Sequence, residues 1–374
     1  DIFDGSGVYF SYDLDGSSSV DFFDLIALLE IYDPNDPSCQ GTARRPNVIL
    51  INVDDQGYGD FSVHGNPVLN TPNLDRLHSE SVRLTDFHVA PMCSPTRGQL
   101  ITGRDAMRNG CTFVCQGRSM VRADIPTIAE FFAEAGYSTS HVAKWHMGDS
   151  YPHRPQDRGF QDTFHHRAWG ITSLADYWGN SYFDPVLNLN GVDVQTSGYC
   201  TDTFFDYAMD WITQNESAAD DAPFFMYLAT NTPHGPDLVP NSYSDPYIGT
   251  ANGITAPHKF YGMIANLDEN LGRLEAFLSN NNLRDDTIII YMSDNGTQSR
   301  AAMDIFNAGM RGMKQSVYEG GHRVPFFIRW PGGPLEHGQD VDELTQVQDV
   351  LPTLIELCGL NAPRANPHNP IEAS

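Results

Sequence analysis

From residue 46 onward, short apolar runs alternate with stretches of helical period. Asn47-Val-Ile-Leu-Ile-Asn-Val53 is apolar at nearly every position, the pattern of a strand buried on both faces rather than one alternating between core and solvent. Residues 137–142, 224–229, 287–292 and 324–328 read the same way. Residues 125–135, closed by Gly136, together with 261–278 and 346–357, have the period of helices with one apolar face. Alternating strands and helices predict an α/β fold with a large, mostly parallel central sheet flanked by helices. Residues 150–222 and 231–260 are rich in Gly, Pro, Asn, Asp and aromatic side chains and predict long loops. Such loops in a compact domain commonly build a substrate site.

The first forty residues have a different character. Asp13, Asp15, Ser17, Asp21 and Asp24 occupy positions 1, 3, 5, 9 and 12 of an acidic stretch that leads into an amphipathic pattern. That spacing suits a twelve-residue turn around one Ca²⁺. It resembles a single dockerin-like or EF-hand-like repeat, which implies a calcium site and a cohesin-like partner. An acidic solvated turn is the plainer alternative. The Pro- and Asn-rich linker that follows divides the chain into a segment at 1–40 and a domain at 46–374.

Charge narrows the choice of partners. With 22 Lys+Arg against 48 Asp+Glu the formal charge is −26, which argues against nucleic acid held by bulk attraction. The chain is 40% hydrophobic, enough for a full core. No apolar run approaches the roughly 20 residues of a membrane-spanning helix. The chain opens at Asp1 without a basic-then-apolar leader, so a signal for export is expected to be already removed or to lie outside it. The six cysteines lack metal spacing, and Cys111, Cys115 and Cys200 are candidates for a bridge in an oxidising compartment. Only three lysines occur among the 22 basic residues, namely Lys144, Lys259 and Lys314.

Two strands run directly into oxygen donors, the first into Asp54-Asp55 and the second, through Ser293, into Asp294-Asn295. Carboxyl ends of strands face the ligand crevice of open α/β sheets. Three carboxylates and an amide converging there require a cation, and oxygen donors select a hard one, Ca²⁺ or Mg²⁺.

Cys93-Ser-Pro95-Thr-Arg97, followed by Thr102-Gly-Arg104, resembles the signature of the formylglycine-dependent sulfatases, members of the alkaline-phosphatase-like superfamily. Further segments fall in the same order: Asp54-Asp55-Gln-Gly57, Gly136 through Lys144-Trp-His146, Thr232-Pro-His234, Ser293-Asp-Asn-Gly296, Lys314 through Glu319-Gly-Gly-His-Arg323, and Trp330-Pro-Gly. The likeness spans about residues 46–363, with Ala143 standing where such sulfatases usually carry Gly before the Lys.

The resemblance implies that Cys93 is oxidised by a formylglycine-generating maturation enzyme to an aldehyde. Its hydrate attacks sulfur, supported by Arg97 and His146. Lys144 and Lys314 would hold sulfate oxygens, His234 would protonate the leaving alcohol, and Asp54, Asp55, Asp294 and Asn295 would hold the metal. It also implies secretion or a periplasmic location, a sulfated carbohydrate or aryl sulfate substrate, and a C-terminal subdomain that this chain carries only incompletely. Arg154, Asp157, Arg158, His165, His166, Trp178 and Tyr182 are candidates for sugar contacts, with ordinary loop packing as the alternative for each. A phosphonate or phosphate ester hydrolase of the same superfamily and a non-catalytic sulfate-binding protein are the rival readings.

Overall fold

A computed structural model describes residues 45–114, 120–218 and 222–361. The calcium loop expected at Asp13–Asp24 and the thiol of Cys115 lie outside the described residues. In chain order the strands are β1 (Asn47–Val53), β2 (Val82–Leu84), β3 (Phe87–His88), β4 (Ser138–Lys144), β5 (Asp162–His166), β6 (Val186–Leu189), β7 (Val192–Gln195), β8 (Phe224–Ala229), β9 (Thr250–Ala251), β10 (Ile254–Thr255), β11 (Thr287–Ser293), β12 (Phe326–Arg329), β13 (Gln339–Val341) and β14 (Thr345–Gln346). Ten of them form one sheet in the order β13-β2-β12-β11-β1-β8-β4-β5-β6-β7. Its five central strands, β11 to β5, run parallel. Antiparallel strands extend it on both sides, at β12 and at β6 and β7.

The apolar runs are continuous because the central strands are covered on both faces. Val48 and Leu50 of β1, Phe225 and Tyr227 of β8, and Ile288 and Ile290 of β11 join one core. Ile49 and Ile51, Phe224 and Met226, and Ile289 and Tyr291 join the other. Alternation is therefore present in space but invisible in hydropathy, as expected of strands sandwiched between helices. Helix His258–Asn280 turns Met263, Leu267, Leu271, Leu274 and Leu278 toward the second core. Helix Ile128–Glu134 starts where Thr127 N–H donates to Glu130 Oε2 at 2.7 Å, which closes one free end of its hydrogen-bond ladder.

One expectation fails. Residues 150–222 contain β5, the hairpin β6–β7 and the 17-residue helix Cys200–Glu216, rather than a loop with few elements. The helix buries Phe204, Phe205, Ala208 and Ile212, an apolar stripe interrupted by enough Thr, Asp and Asn to hide it in composition. The hairpin turns through Asn190 at φ 50 and Gly191 at φ 90, the pair most suited to a tight turn with positive φ at both central residues. Cys200 is a buried free thiol, so the bridge considered for it is not formed.

Candidate active site

Four neighbouring parallel strands deliver the site from their carboxyl ends. Val53 of β1 pairs with Ser293 of β11, so Asp54-Asp55 and Asp294-Asn295 leave the sheet side by side. The link continues past the strands: Asp294 N–H donates to Val53 O at 3.1 Å, and Asp54 N–H to Thr232 O at 3.0 Å. Strand β8 leads into the loop of His234, and β4 ends on Lys144. Cys93 is the first residue of helix Cys93–Thr102, all ten residues of which are buried. The helix therefore points its positive end, with free N–H groups, at the place where the four strands finish.

The charges interlock. Arg97 holds Asp294 Oδ2 with Nε at 2.9 Å and Nη2 at 2.7 Å, and its Nη1 donates to Lys144 O at 3.1 Å. Lys144 Nζ pairs with Asp54 Oδ2. Lys314 Nζ lies 2.5 Å from Asp55 Oδ1 and 2.7 Å from Oδ2, and Asn295 Nδ2 donates to Asp55 Oδ1 at 2.7 Å. His234 Nε2 is 3.7 Å from Asp55 Oδ2. Sγ of Cys93 and carboxylate oxygens of Asp54 and Asp294 all lie within 4.8 Å of one another.

A hard divalent cation fits this donor set. Asp54 Oδ1 and Asn295 Oδ1 are buried oxygens without a hydrogen-bond partner, and such acceptors ordinarily find one. Burial and the negative charge of Asp54 push Asp294 up to about 7, against the pull of Arg97 and Lys144. Burial opposes the charge of Asp54 too, but Lys144, His234, Arg97 and Lys314 outweigh it and hold that carboxyl well below its usual range. Two adjacent carboxylates held this differently are those a shared cation would bring to the same charged state. The candidate ligands are Asp54, Asp55, Asp294 and Asn295.

The backbone is strained where the chemistry gathers. Asp55 at φ 71, Ala143 at φ 79 and His146 at φ 60 adopt left-handed conformations, each costing on the order of 1–3 kcal/mol. Ala143 replaces a glycine of the resembling motif at a position where glycine is free of that strain. A second device is backbone packed on backbone. A Cβ on Gly296 would sit 1.8 Å from Gly320 O, and Gly296 N–H donates to Gly321 O at 3.0 Å. This contact seats the segment carrying Lys314 against the loop of Asp294 and Asn295.

A sequence model of the family described as Sulfatase matches residues 46–360. The chain belongs to the sulfatase family. N-acetylgalactosamine-6-sulfatase of Canis lupus familiaris is 29% identical over 353 residues, covering 86% of this chain and 64% of that protein. Arylsulfatase A of Homo sapiens is 30% identical over 352 residues, covering 86% and 66%. The chain thus spans slightly less than two thirds of these relatives. Among solved structures, Ps i-CgsB in complex with k-i-k-neocarrahexaose has a TM-score of 0.77 at 29% identity, covering 85% of this chain and 73% of that one. The phosphonate monoester hydrolase of Agrobacterium radiobacter shares the fold, with a TM-score of 0.62 at 23% identity and coverage of 85% and 74%.

Around this sulfatase-family centre the proposed sugar contacts separate. Arg158 is buried and directs its guanidinium to the carbonyls of Arg122 and Ile125, so it supports the fold rather than facing a ligand. Tyr182 is also buried, and its hydroxyl donates to His234 O at 2.8 Å, which makes it a positioning residue for that loop. His165 and His166 are buried, each with Nδ1 on a main-chain carbonyl. Arg154 is partly exposed and paired with Asp157 at 2.7 Å. Trp178 is fully exposed. Trp169, which sequence reasoning passed over, lies 5.4 Å from the His234 ring. The signal for it was its place just after β5, the next parallel strand beyond β4. Among the described residues no helix is long and apolar enough to cross a membrane.

Proposed function

We propose that the chain is the catalytic part of a sulfuric ester hydrolase that removes sulfate from a sulfated carbohydrate, with Cys93 acting after oxidation to formylglycine. The observation that supports this reading is the convergence of Cys93 Sγ with Asp54 and Asp294 oxygens within 4.8 Å, beside Lys144 and Lys314. As a thiol Cys93 is a poor nucleophile there, because burial pushes it up to about 11 despite Lys144 and Lys314. A hydrated aldehyde at the same position supplies one hydroxyl to attack sulfur and a second whose deprotonation releases sulfate. A divalent cation, Ca²⁺ or Mg²⁺, supplies the positive field that an anionic ester needs before attack.

The chain's own residues account for the remaining work. Arg97, Lys144 and Lys314 balance Asp54, Asp55 and Asp294, three cations against three anions. A divalent charge added to that balance gives a local positive basin inside an acidic protein. Lys144 and Lys314 then bind sulfate oxygens, and Arg97, fixed on Asp294 and Lys144 O, orients the group at position 93. Burial, Lys144 and Arg97 hold His146 well below the usual imidazole range, so it is neutral and able to accept a proton. His234 anchors Nδ1–H on Gly235 O at 2.6 Å, so Nε2 is the nitrogen that passes a proton to the leaving alcohol. That step needs the imidazolium, which burial disfavours and Asp54 and Asp55 favour.

The carbohydrate class is supported by two similar proteins whose names carry a sugar, N-acetylgalactosamine-6-sulfatase and Ps i-CgsB with its neocarrahexaose. An exported location and dependence on a maturation enzyme complete the proposal. The experiment is sulfate release from defined sulfated oligosaccharides by protein matured in its native host, alongside the mass of the Cys93 peptide. Formylglycine at position 93 with sulfate release supports the reading. A strong preference for a phosphate or phosphonate ester overturns it in favour of the rival hydrolase, and an unmodified thiol in natively matured protein favours a binding role.

A further inference from the structure

None of the residues of a second group of converging ligand atoms belongs to the catalytic centre. His88 of β3 and the helical turn Glu319–His322 place His88, Glu319 and His322 donors within 4.8 Å of one another. Glu319 and His322 are three residues apart on that turn, so their side chains share a face. The backbone fixes the approach: Val89 N–H donates to His322 O at 2.8 Å, and Val324 N–H to Phe87 O at 3.1 Å.

The tautomer of His88 follows from its neighbour. Its Nε2 faces Asp86 Oδ1 at 3.0 Å, which makes Nε2 the protonated nitrogen and leaves a lone pair on Nδ1. That lone pair points at His322 Nδ1, 2.8 Å away. A single N–H···N bond would satisfy the two rings; the Glu319 carboxylate, held by Arg323 at 3.5 Å, adds an oxygen donor at the same point. A carboxylate behind a ligating imidazole is, moreover, the usual support of a metal-bound histidine.

We propose that His88, His322 and Glu319 bind one borderline divalent metal ion of the zinc class, with Asp86 orienting His88. Two imidazoles and a carboxylate select zinc or cobalt over the hard ions suited to the all-oxygen set of the active site. Bond lengths of about 2.0–2.1 Å with tetrahedral angles require nitrogens about 3.3 Å apart, so the two rings need to separate only slightly. The Arg323 guanidinium, 3.5 Å from both Asp86 and Glu319, balances the outer charge. Glu319 is half-exposed, which leaves a fourth position open to water. The ion is a clip: it joins β3 to the turn whose Gly320 and Gly321 seat Gly296, and so steadies Lys314 and the Asp294–Asn295 loop against each other.

The test is a Co²⁺ titration of the chelator-treated full chain in excess Ca²⁺, which fills hard oxygen sites, following the visible band of four-coordinate cobalt. One equivalent is expected to bind. His88→Ala and His322→Val should abolish the band, and Asp86→Asn should weaken affinity about 10–100-fold. The absence of a band in the unaltered protein, or a band that persists in both histidine variants, overturns the proposal. If His88→Ala does not fold, His322→Val and Asp86→Asn decide the question by the same readout.

Discussion

Arg97 and Asp294 form an ion pair at 2.7 Å with both side chains completely buried, and this contact fastens the helix of Cys93 to the end of β11. Removing one partner from a buried pair leaves an uncompensated charge, at a cost of about 3–5 kcal/mol. Arg97→Met is expected to lose that much in urea unfolding of metal-free protein at pH 8–9, above the value of about 7 to which Asp294 is raised. Arg97→Lys should lose less than half as much, because charge is retained while the fork onto Asp294 and Lys144 O is lost. Equal losses in the two variants would show that charge balance is not what the pair provides.

Cys93 has a chemical role separable from its packing. Cys93→Ser nearly preserves volume at a buried position but removes the thiol that the proposed maturation oxidises. Thermal stability should change little, whereas turnover should fall by at least about 10³-fold, as when the nucleophile of a concerted residue set is removed. Chelation should abolish turnover as well, with recovery on adding Ca²⁺ or Mg²⁺. Sulfate release at more than a tenth of the normal rate by a serine variant whose peptide mass shows the unoxidised alcohol would exclude the formylglycine mechanism.

Ala143 is strained where its motif ordinarily has glycine. Its φ of 79 costs roughly 1–2 kcal/mol for an L-residue, partly offset in Ala143→Gly by about 0.5–1 kcal/mol of added chain entropy. A net gain of up to about 1 kcal/mol, read as a rise in Tm of about 2 °C, is expected. A lowered Tm would mean that the buried methyl contributes more than the strain costs.

Much of this site is legible in the chain because ligands follow strands. Asp54 and Asp294 each stand just past an apolar run, and parallel pairing of those runs makes their convergence unavoidable. Strands 47–53 and 224–229 match the expected bounds for the same reason: two-sided burial writes itself as an uninterrupted apolar word. The helix Cys200–Glu216 escaped because its buried stripe is narrow, although the spacing of Phe204, Ala208 and Ile212 was present. The link between Tyr182 and His234 crosses 52 residues, a distance over which no local pattern carries information. Nor does composition distinguish the buried Arg158 from the exposed Arg residues it resembles.

Tyr182 gives that long-range link a measurable consequence. Its hydroxyl donates to His234 O at 2.8 Å and lies 3.2 Å from Gly235 O. Tyr182→Phe loses about 1 kcal/mol of loop positioning and should lower kcat roughly five- to tenfold with KM nearly unchanged. His234→Asn should cost about 10²–10⁴-fold, and far less on substrates whose leaving group needs no proton. A Tyr182→Phe effect confined to KM would place the tyrosine's influence on binding rather than on the acid.

Asp60 sets a pH dependence of stability. Burial pushes its carboxyl up to about 7, against hydrogen bonds from Thr297 and the Gly57 main chain, whereas the unfolded value is about 3.9. Between these values the folded state binds more protons than the unfolded one. Stability from this group is therefore fully present below about pH 4 and is lost as pH rises toward 7, by at most about 4 kcal/mol. Asp60→Asn keeps an acceptor for the Gly57 N–H, which lies 2.9 Å from Asp60 Oδ2, and cannot ionise. Relative to the unaltered protein, the variant should gain stability from pH 4 to about pH 7 and level off above that in urea unfolding. A stability difference between the two that does not change with pH would show that Asp60 is not protonated in the fold.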